Sequence, residues 1–512
     1  MNATRSISER ALSALRWNYL GTAGRIAAQL IAQIMLARLL GPEPTGVFAC
    51  AFLVVSLCAL VVEMGLGAGL VQAPQLDARE IATVSTRLLL LGLMFSLAIY
   101  ATADVIAQQV FSTPEASAVI RAMAPALLIS AAAFPASALL RRELEFGVVQ
   151  AAEVGSYVFG YLIVGLSCAF LGLGVWSLVA AWYAQSGSSC LAMYVFGHQR
   201  PRPGNPLRRL SISRFSAVIM LTNLLNWTIE QGTHVAVGRF FGAAALGQFT
   251  LSNNLVRAPT NHLVVNLQSV LFPMAARAQR NDAGLRRAYL TALAGVGLVA
   301  FPVFTFVAVM AEPIVLVLLG AQWAPAAQVL APLATAMMPH AAMAICGPLL
   351  NGRGEPEVEL RLQAMTLLLM AAVLALTAQW SLAAMAWGLM GVYLCRCVLI
   401  TIVLMRRLHL TAGMLAQAVR GPLLLAAATT AAALGAAPAV QGLGSVPSPS
   451  VVLAMAAACG VAFVALALST APSLVLGPQL LALIDLFVKS RPVIATLPGL
   501  RRIAQLAHRA AS

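Results

Sequence analysis

Charged side chains are scarce in this sequence. They make up 10% of its 512 residues, and lysine occurs once, at Lys489. A soluble domain carries about 25% charged residues, so this composition excludes a string of soluble domains. It also excludes a disordered chain and a coiled coil, because both depend on abundant charge.

Lysine and acidic residues are so few that the net charge of +15 is almost entirely arginine. A strongly basic chain can indicate nucleic-acid binding. Here, however, the arginines lie mostly in short loops between apolar runs, where positive charge orients a membrane protein. We therefore expect no nucleic-acid partner.

Enzyme and metal motifs are missing too. The sequence contains no Walker A loop, no HExxH and no GxSxG, which are the signatures of ATPases, metalloproteases and hydrolases. The eight cysteines lie in apolar stretches without the spacing of metal ligands. We expect neither an enzyme nor a cofactor or metal, so the energy for any transport would come from a gradient.

Long apolar runs dominate what remains, since 60% of the residues are hydrophobic. Runs of 18 or more residues indicate transmembrane helices. The sequence predicts an all-α polytopic membrane protein with about 14 transmembrane helices, at residues 17–40, 47–72, 83–104, 119–140, 151–172, 176–197, 215–237, 245–270, 289–309, 324–347, 363–382, 384–404, 421–440 and 450–472.

Arginine alternates between the loops on the two sides. One set of loops collects nearly all of it, whereas loops 41–46, 105–118, 310–323 and 441–449 contain neither lysine nor arginine. Since positive loops stay in the cytoplasm, both termini are predicted to be cytoplasmic. Arg239, at the edge of the seventh span, is the one exception.

An internal repeat divides the chain. The segment from Arg38 to Phe48 matches the segment from Arg239 to Phe249 at a constant shift of 201. Six helices separate the copies, so both point the same way, and parallel repeats are typical of transporters. We predict an N-terminal six-helix lobe (1–197), a basic cytoplasmic linker (198–214), a C-terminal six-helix lobe (215–407), two accessory transmembrane helices (408–472) and a cytoplasmic amphipathic tail (473–512).

Polar residues follow helical spacing inside several spans. The first span carries Thr22, Arg25, Gln29 and Gln33, and at the same shift of 201 the seventh carries Asn223, Asn226, Glu230 and His234. Spacings of three and four place each set on one helix face. Polar side chains also join helices in bundles, but two matching faces favour a shared water-filled cavity.

Further polar residues lie in other spans. Asn254, Arg257 and Asn261 share a face of the eighth span, where Pro259 is expected to interrupt the helix. An arginine at this depth needs a partner or water, so Arg257 either pairs with Glu230 or contacts an anion. Glu63 precedes a glycine-rich run that favours close helix packing. Structural roles are expected first for Arg396 and His340, and Glu153 stays ambiguous.

Several motifs carry a family resemblance over roughly residues 10–410. They are Ala37–Pro42 with Gly46, Glu63–Gln72, Arg141–Phe146, Gly174–Val179, Gly238–Gly242, Leu271–Pro273, Gly320–Ala327, and Gly352–Pro356. On these residues the chain resembles the polysaccharide transporter family, the Wzx-type oligosaccharide flippases of the multidrug/oligosaccharidyl-lipid/polysaccharide exporter superfamily. The family commonly has Asp where Glu63 stands.

The resemblance implies a function. Members flip undecaprenyl-diphosphate-linked oligosaccharides across the bacterial inner membrane by alternating access, generally with ion exchange. Arg25 and Arg257 would then bind the diphosphate. The neighbouring polar residues Gln29, Asn226, Asn254 and Asn261 would contact the substrate, and Glu63, Glu230 and His234 would serve ion coupling. The implied partners are the lipid-linked oligosaccharide, membrane lipids, and a polysaccharide polymerase with its chain-length machinery.

Two alternatives stay open. A cation-coupled drug or metabolite antiporter of the same superfamily would share the twelve-helix core, although the accessory helices and the arginine-bearing face favour a bulky anionic lipid. A membrane-embedded polysaccharide polymerase or ligase would need a long outward-facing loop with catalytic Arg and His, and the predicted outward loops have none.

Overall fold

The structure is a computed structural model, and it describes residues 7–72, 77–143, 145–197, 204–206, 214–277, 281–442, 448–470 and 475–476. Every regular element in these ranges is helical. The predicted all-α class is therefore confirmed. The chain divides into two compact units, unit 1 (Met1–Leu251) and unit 2 (Ser252–Ser512).

Unit 1 contains eight helices and the first part of a ninth. They are α1 (Ile7–Leu40), α2 (Pro42–Gln72), α3 (Ala78–Val105), α4 (Ala116–Met123), α5 (Ala126–Arg142), α6 (Phe146–Tyr157), α7 (Leu166–Phe170), α8 (Val175–Phe196) and α9 (Arg214–Arg277). Two π-helical segments, Ile106–Val110 and Val158–Gly165, continue α3 and α6. The backbone of α9 breaks at Gly242.

Unit 2 contains the rest of α9 and eight further helices. They are α10 (Asp282–Val309), α11 (Ala311–Leu318), α12 (Ala327–Ala344), α13 (Cys346–Gly352), α14 (Pro356–Thr377), α15 (Leu382–Leu408), α16 (Ala412–Gly442) and α17 (Pro449–Thr470). A 3₁₀ segment, Ala321–Ala326, precedes α12. The predicted accessory helices correspond to α16, which packs along α10, and α17, which packs against α16 and α11.

Ten candidate membrane spans occur among the described residues, each long and apolar enough to cross a bilayer. The protein is thus a multi-pass membrane protein, while the count of fourteen stays a prediction. Two predicted outward loops are largely helical, because 310–323 contains α11 and 105–118 contains a π-helical segment and the start of α4.

The sequence repeat has a structural counterpart in unit 1. Gly41 and Gly242 occupy equivalent places in the two copies and share a left-handed φ, 82° and 80°. Glycine adopts this conformation without the strain that a Cβ would add. The two copies therefore share a positive-φ glycine at the same position.

Arg239, the exception to the charge alternation, has partners in unit 1. Its guanidinium donates to Ser112 Oγ at 2.7 Å and to the carbonyl of Gln108 at 3.4 Å. Arg121, which is close in sequence to these two partners of Arg239, pairs with Asp104. Arg239 and Arg121 therefore both have hydrogen-bonding partners, at helix ends that the sequence predicts to face outward.

The predicted linker and tail are described only in part. Within 198–214, the amide of Gly204 donates to Thr86 Oγ1 at 2.9 Å, and Arg87 Nε donates to the carbonyl of Pro206 at 2.8 Å. Residues 204–206 thus dock on α3. The amphipathic stretch predicted at 500–506 lies outside the described residues.

Candidate functional site

A charged triad in unit 1 contains the predicted substrate residue Arg25. Its Nη1 atom lies 2.5 Å from Glu153 Oε2, and Arg141 Nη2 lies 3.4 Å from the other carboxylate oxygen. The Glu153 side chain is 19% exposed, whereas that of Arg25 is 42% exposed. Helices α1, α5 and α6 each contribute one member. Two guanidinium groups thus converge on one carboxylate, and guanidinium groups can also bind phosphate oxygens.

Two other predicted residues extend this region. Gln29 lies one turn after Arg25 on α1, and its side chain is half-buried. Glu63, near the described end of α2, is also half-buried and lies within electrostatic range of Arg141. Unit 1 therefore brings Arg25, Glu63 and the ambiguous Glu153 into one neighbourhood through Arg141, for which the sequence predicted no site role.

The seventh-span face lies on the first part of α9. His234 is buried and meets Phe249 edge-on, with ring centroids 5.0 Å apart. Glu230, one turn earlier, is exposed, and Asn226 is half-buried. On this predicted common face the Glu230 side chain is exposed and the His234 imidazole is buried. The two candidate coupling residues therefore have different environments.

The eighth-span face lies on α9 within unit 2. Asn254 and Arg257 are half-buried, and the side chain of Asn261 lies outside what the structure describes. The prediction that Pro259 interrupts the helix is wrong, because the only non-helical backbone in α9 is at Gly242. Membrane helices tolerate proline where neighbouring groups satisfy the freed carbonyl. The alternative pair of Arg257 with Glu230 stays a hypothesis.

Unit 2 holds a buried ion pair that the sequence did not predict. Arg396 Nη2 on α15 lies 3.0 Å from Glu359 Oε1 on α14, with side chains 15% and 14% exposed. Gln363 Nε2 donates to the same oxygen at 3.3 Å. The sequence did not predict Glu359 as a helix residue inside the bundle, because the predicted eleventh span begins at residue 363, whereas α14 begins at Pro356.

His340 lies beside this pair and stacks edge-on against Tyr393, with centroids 5.3 Å apart. It lies within electrostatic range of both Arg257 and Arg396. These contacts support the structural role expected first for Arg396, since its charge is neutralised inside unit 2. The signal in the sequence that could have indicated this pair was the mid-span arginine itself, because such a side chain needs a partner or water.

The described residues contain no group of three or more His, Cys, Asp or Glu side chains that could hold a metal ion. The two units instead offer arginine and amide groups on helices that the sequence predicts to span the membrane. Such groups can bind an anion and a polar ligand.

The sequence matches the family described as "Polysaccharide biosynthesis protein" over residues 35–328, more than half of the chain. The chain belongs to this polysaccharide biosynthesis protein family. Among the family's curated relatives is the succinoglycan biosynthesis transport protein ExoT of Rhizobium meliloti (strain 1021), 28% identical over 319 residues, or 62% of this chain and 64% of ExoT.

Two further relatives support the family assignment. The lipopolysaccharide biosynthesis protein WzxC of Escherichia coli (strain K12) is 23% identical over 62% of this chain and 65% of its own length. The teichuronic acid biosynthesis protein TuaB of Bacillus subtilis (strain 168) is 22% identical over 69% of this chain and 73% of its own. The matches to ExoT and WzxC each span slightly less than two thirds of the relative.

Solved structures show which fold the family member adopts. A structure described as "Lipid II flippase MurJ, inward closed conformation" aligns with a TM-score of 0.66, 9% identity and coverage of 89% of this chain and 99% of MurJ. An inward-facing MATE multidrug transporter of the MOP superfamily aligns with a TM-score of 0.56, 19% identity and coverage of 75% and 94%. At these identities the two alignments show that this chain shares their fold.

Proposed function

We propose that this protein flips an undecaprenyl-diphosphate-linked oligosaccharide across the bacterial inner membrane, supplying an O-antigen, capsule or exopolysaccharide pathway. Family membership supports the pathway. The relatives' names refer to succinoglycan, lipopolysaccharide and teichuronic acid, which are different glycans. The proposal therefore names a class of substrate and leaves the glycan open.

The observation that carries the proposal is arginine on polar helix faces that the sequence predicts to lie inside the membrane. Arg25 in unit 1 and Arg257 in unit 2 both belong to polar helix faces. A diphosphate cannot enter a dry cavity without a counter-charge, and guanidinium groups stay charged and bind phosphate oxygens bidentately. Gln29, Asn226, Asn254 and Asn261 are proposed as further substrate contacts.

Alternating access is proposed between the predicted lobes, 1–197 and 215–407, joined by the linker 198–214. The helices of 408–472 lie outside the repeat, and the tail 473–512 is proposed to lie on the cytoplasmic surface. Glu63, Glu230 and His234 are proposed for ion coupling, and a polysaccharide polymerase with its chain-length machinery as pathway partners.

Reconstitution tests the proposal. The probe is the lipid-linked oligosaccharide extracted from cells that lack this protein, placed in vesicles with the purified full chain. We expect the probe to become accessible to an added glycosidase on both leaflets within minutes, and only in vesicles that contain the protein. Gradient-driven export of a cationic dye without lipid flipping would favour the antiporter, and a lengthened glycan would favour a polymerase.

A further inference from the structure

Two helices of unit 1 carry polar residues at matching intervals of four. On α1 these are Arg25, Gln29 and Gln33, and on α6 and its π-helical extension they are Glu153, Tyr157 and Tyr161. An interval of four keeps side chains on one helix face. We call Gln29, Gln33, Tyr157 and Tyr161 the amide–tyrosine face.

Contacts at both ends set the two helices in register. At one end Arg25 meets Glu153 at 2.5 Å. At the other, Leu36 Cδ1 lies 3.7 Å from the position that a Cβ on Gly165 would take. The sequence separations are 128 and 129, so the helices run parallel. Gln29 therefore lies level with Tyr157, and Gln33 with Tyr161.

The two tyrosines form a stacked pair. Their ring centroids are 4.6 Å apart and the ring planes differ by 18°. Tyr161 also packs against the cluster of Leu36, Leu166 and Leu178, which fixes its position beside α1. The pair spans the start of the π-helical segment, a type of element that often accompanies functional sites.

The polar groups of this face have no partner within the described part of unit 1. Neither tyrosine hydroxyl and neither glutamine amide forms a hydrogen bond there. Two other tyrosines of the same unit behave differently, because Tyr183 donates to the carbonyl of Ala122 at 2.6 Å and Tyr194 to that of Ala132 at 2.7 Å. Joining helices is the usual reason for polar residues in a membrane bundle, and here these groups do not join them.

We propose that the amide–tyrosine face binds the sugar rings that adjoin the diphosphate of the substrate. This inference rests on the proposed function. A sugar ring presents a C–H face that packs on an aromatic ring and hydroxyls that pair with amide and phenol groups. The Arg25–Glu153–Arg141 triad, with its two guanidinium groups, lies at the end of the face where the phosphate would sit. An acyl chain would use none of the four polar groups.

Saturation kinetics in vesicles test this inference, with the extracted lipid-linked oligosaccharide as the probe. Replacing both tyrosines by alanine is expected to raise the half-saturating probe concentration about tenfold while the maximal rate stays within twofold. Gln29→Leu with Gln33→Leu is expected to act in the same direction. The control is Phe52→Ala, which removes one ring of the stacked Phe48–Phe52 pair of α2 and is expected to leave saturation unchanged.

A conservative variant covers the case in which the alanine variant fails to fold. Tyr157→Phe with Tyr161→Phe keeps both rings, and it is expected to weaken binding of the extracted lipid in detergent without lowering the melting temperature. Unchanged saturation and binding in all of these variants would overturn the inference. If the unmodified protein neither binds nor flips the extracted lipid, the proposed function itself fails, which is a different result.

Discussion

Gly46 and Gly247 lie backbone to backbone in unit 1, at equivalent positions of the two repeat copies. A Cβ on Gly46 would lie 3.0 Å from the amide nitrogen of Gly247, and a Cβ on Gly247 would lie 3.0 Å from that of Gly46. Each Cβ would also collide with a carbonyl oxygen of the other copy, that of Ala243 or Pro42. The start of α2 and the second segment of α9 therefore cross at a contact that admits no side chain.

Gly46→Ala is predicted to destabilise the protein, because a methyl group must push the crossing backbones apart. Overpacking of this kind costs about 1–3 kcal/mol, which would appear as a lower melting temperature in detergent. Gly187→Ala in α8 is the matched control, since a Cβ there would meet nothing within 4 Å. Equal melting temperatures for the two variants would contradict the crossing.

Arg396→Ala is predicted to lower stability strongly. It leaves the Glu359 carboxylate, 14% exposed, without its partner, and breaking a buried pair in this way costs about 3–5 kcal/mol. The control is Arg361→Ala, which breaks an exposed pair with Glu357 on α14 and should cost less than about 1 kcal/mol. Replacing both Arg396 and Glu359 by Met should recover most of the loss, and failure to recover would argue against a purely structural pair.

Arg25→Ala is predicted to abolish glycan export while the protein accumulates normally. Glu153 keeps Arg141 as a partner at 3.4 Å, so the variant leaves no isolated buried charge. Arg25→Lys should restore export in part, because lysine keeps the positive charge but lacks the planar guanidinium that binds phosphate through two hydrogen bonds. Reduced membrane abundance of Arg25→Ala would instead assign this arginine to folding.

Arg257→Ala is predicted to have the same effect as Arg25→Ala, a loss of export without a loss of protein. The rival hypothesis pairs Arg257 with Glu230. It is tested by the charge-swapped double variant, Arg257→Glu with Glu230→Arg. If that swap restores full flipping in vesicles, Arg257 pairs with Glu230 and does not bind the anion.

Glu230→Gln is predicted to leave the protein folded and inserted, because this side chain is exposed. If Glu230 carries the coupling proton, the variant should lose the response of flipping to an imposed proton gradient. Glu115→Gln, at another exposed acid, is the control. An unchanged response of Glu230→Gln would move the coupling role to Glu63.

The predicted topology is tested by reporter fusions. Alkaline phosphatase fused after Ser211, in the linker, should be inactive because the linker is predicted to be cytoplasmic. A fusion after Gly444 should be active, because the 441–449 loop is predicted to face outward. Activity at Ser211 would reverse the orientation.

The sequence by itself determined the properties that depend on local spacing. Composition and apolar runs predicted an all-helical membrane protein, and the fixed shift of 201 predicted the equivalence that Gly41 and Gly242 display in their backbone. Helical spacing placed Arg25 and Gln29 on one face. These inferences hold because helix periodicity is a property of neighbouring residues.

Only the tertiary structure decided which faces meet. Arg25 and Glu153 are separated by 128 residues and Arg396 and Glu359 by 37, and helix periodicity does not say which helix lies opposite. The same limit hid the match between Gln29 on α1 and Tyr157 on α6. At Pro259 the local sequence gave a wrong prediction, because proline was expected to interrupt a helix that continues through it in the folded chain. In a membrane bundle the partner of a polar face depends on helix packing, and this packing exists only in the folded chain.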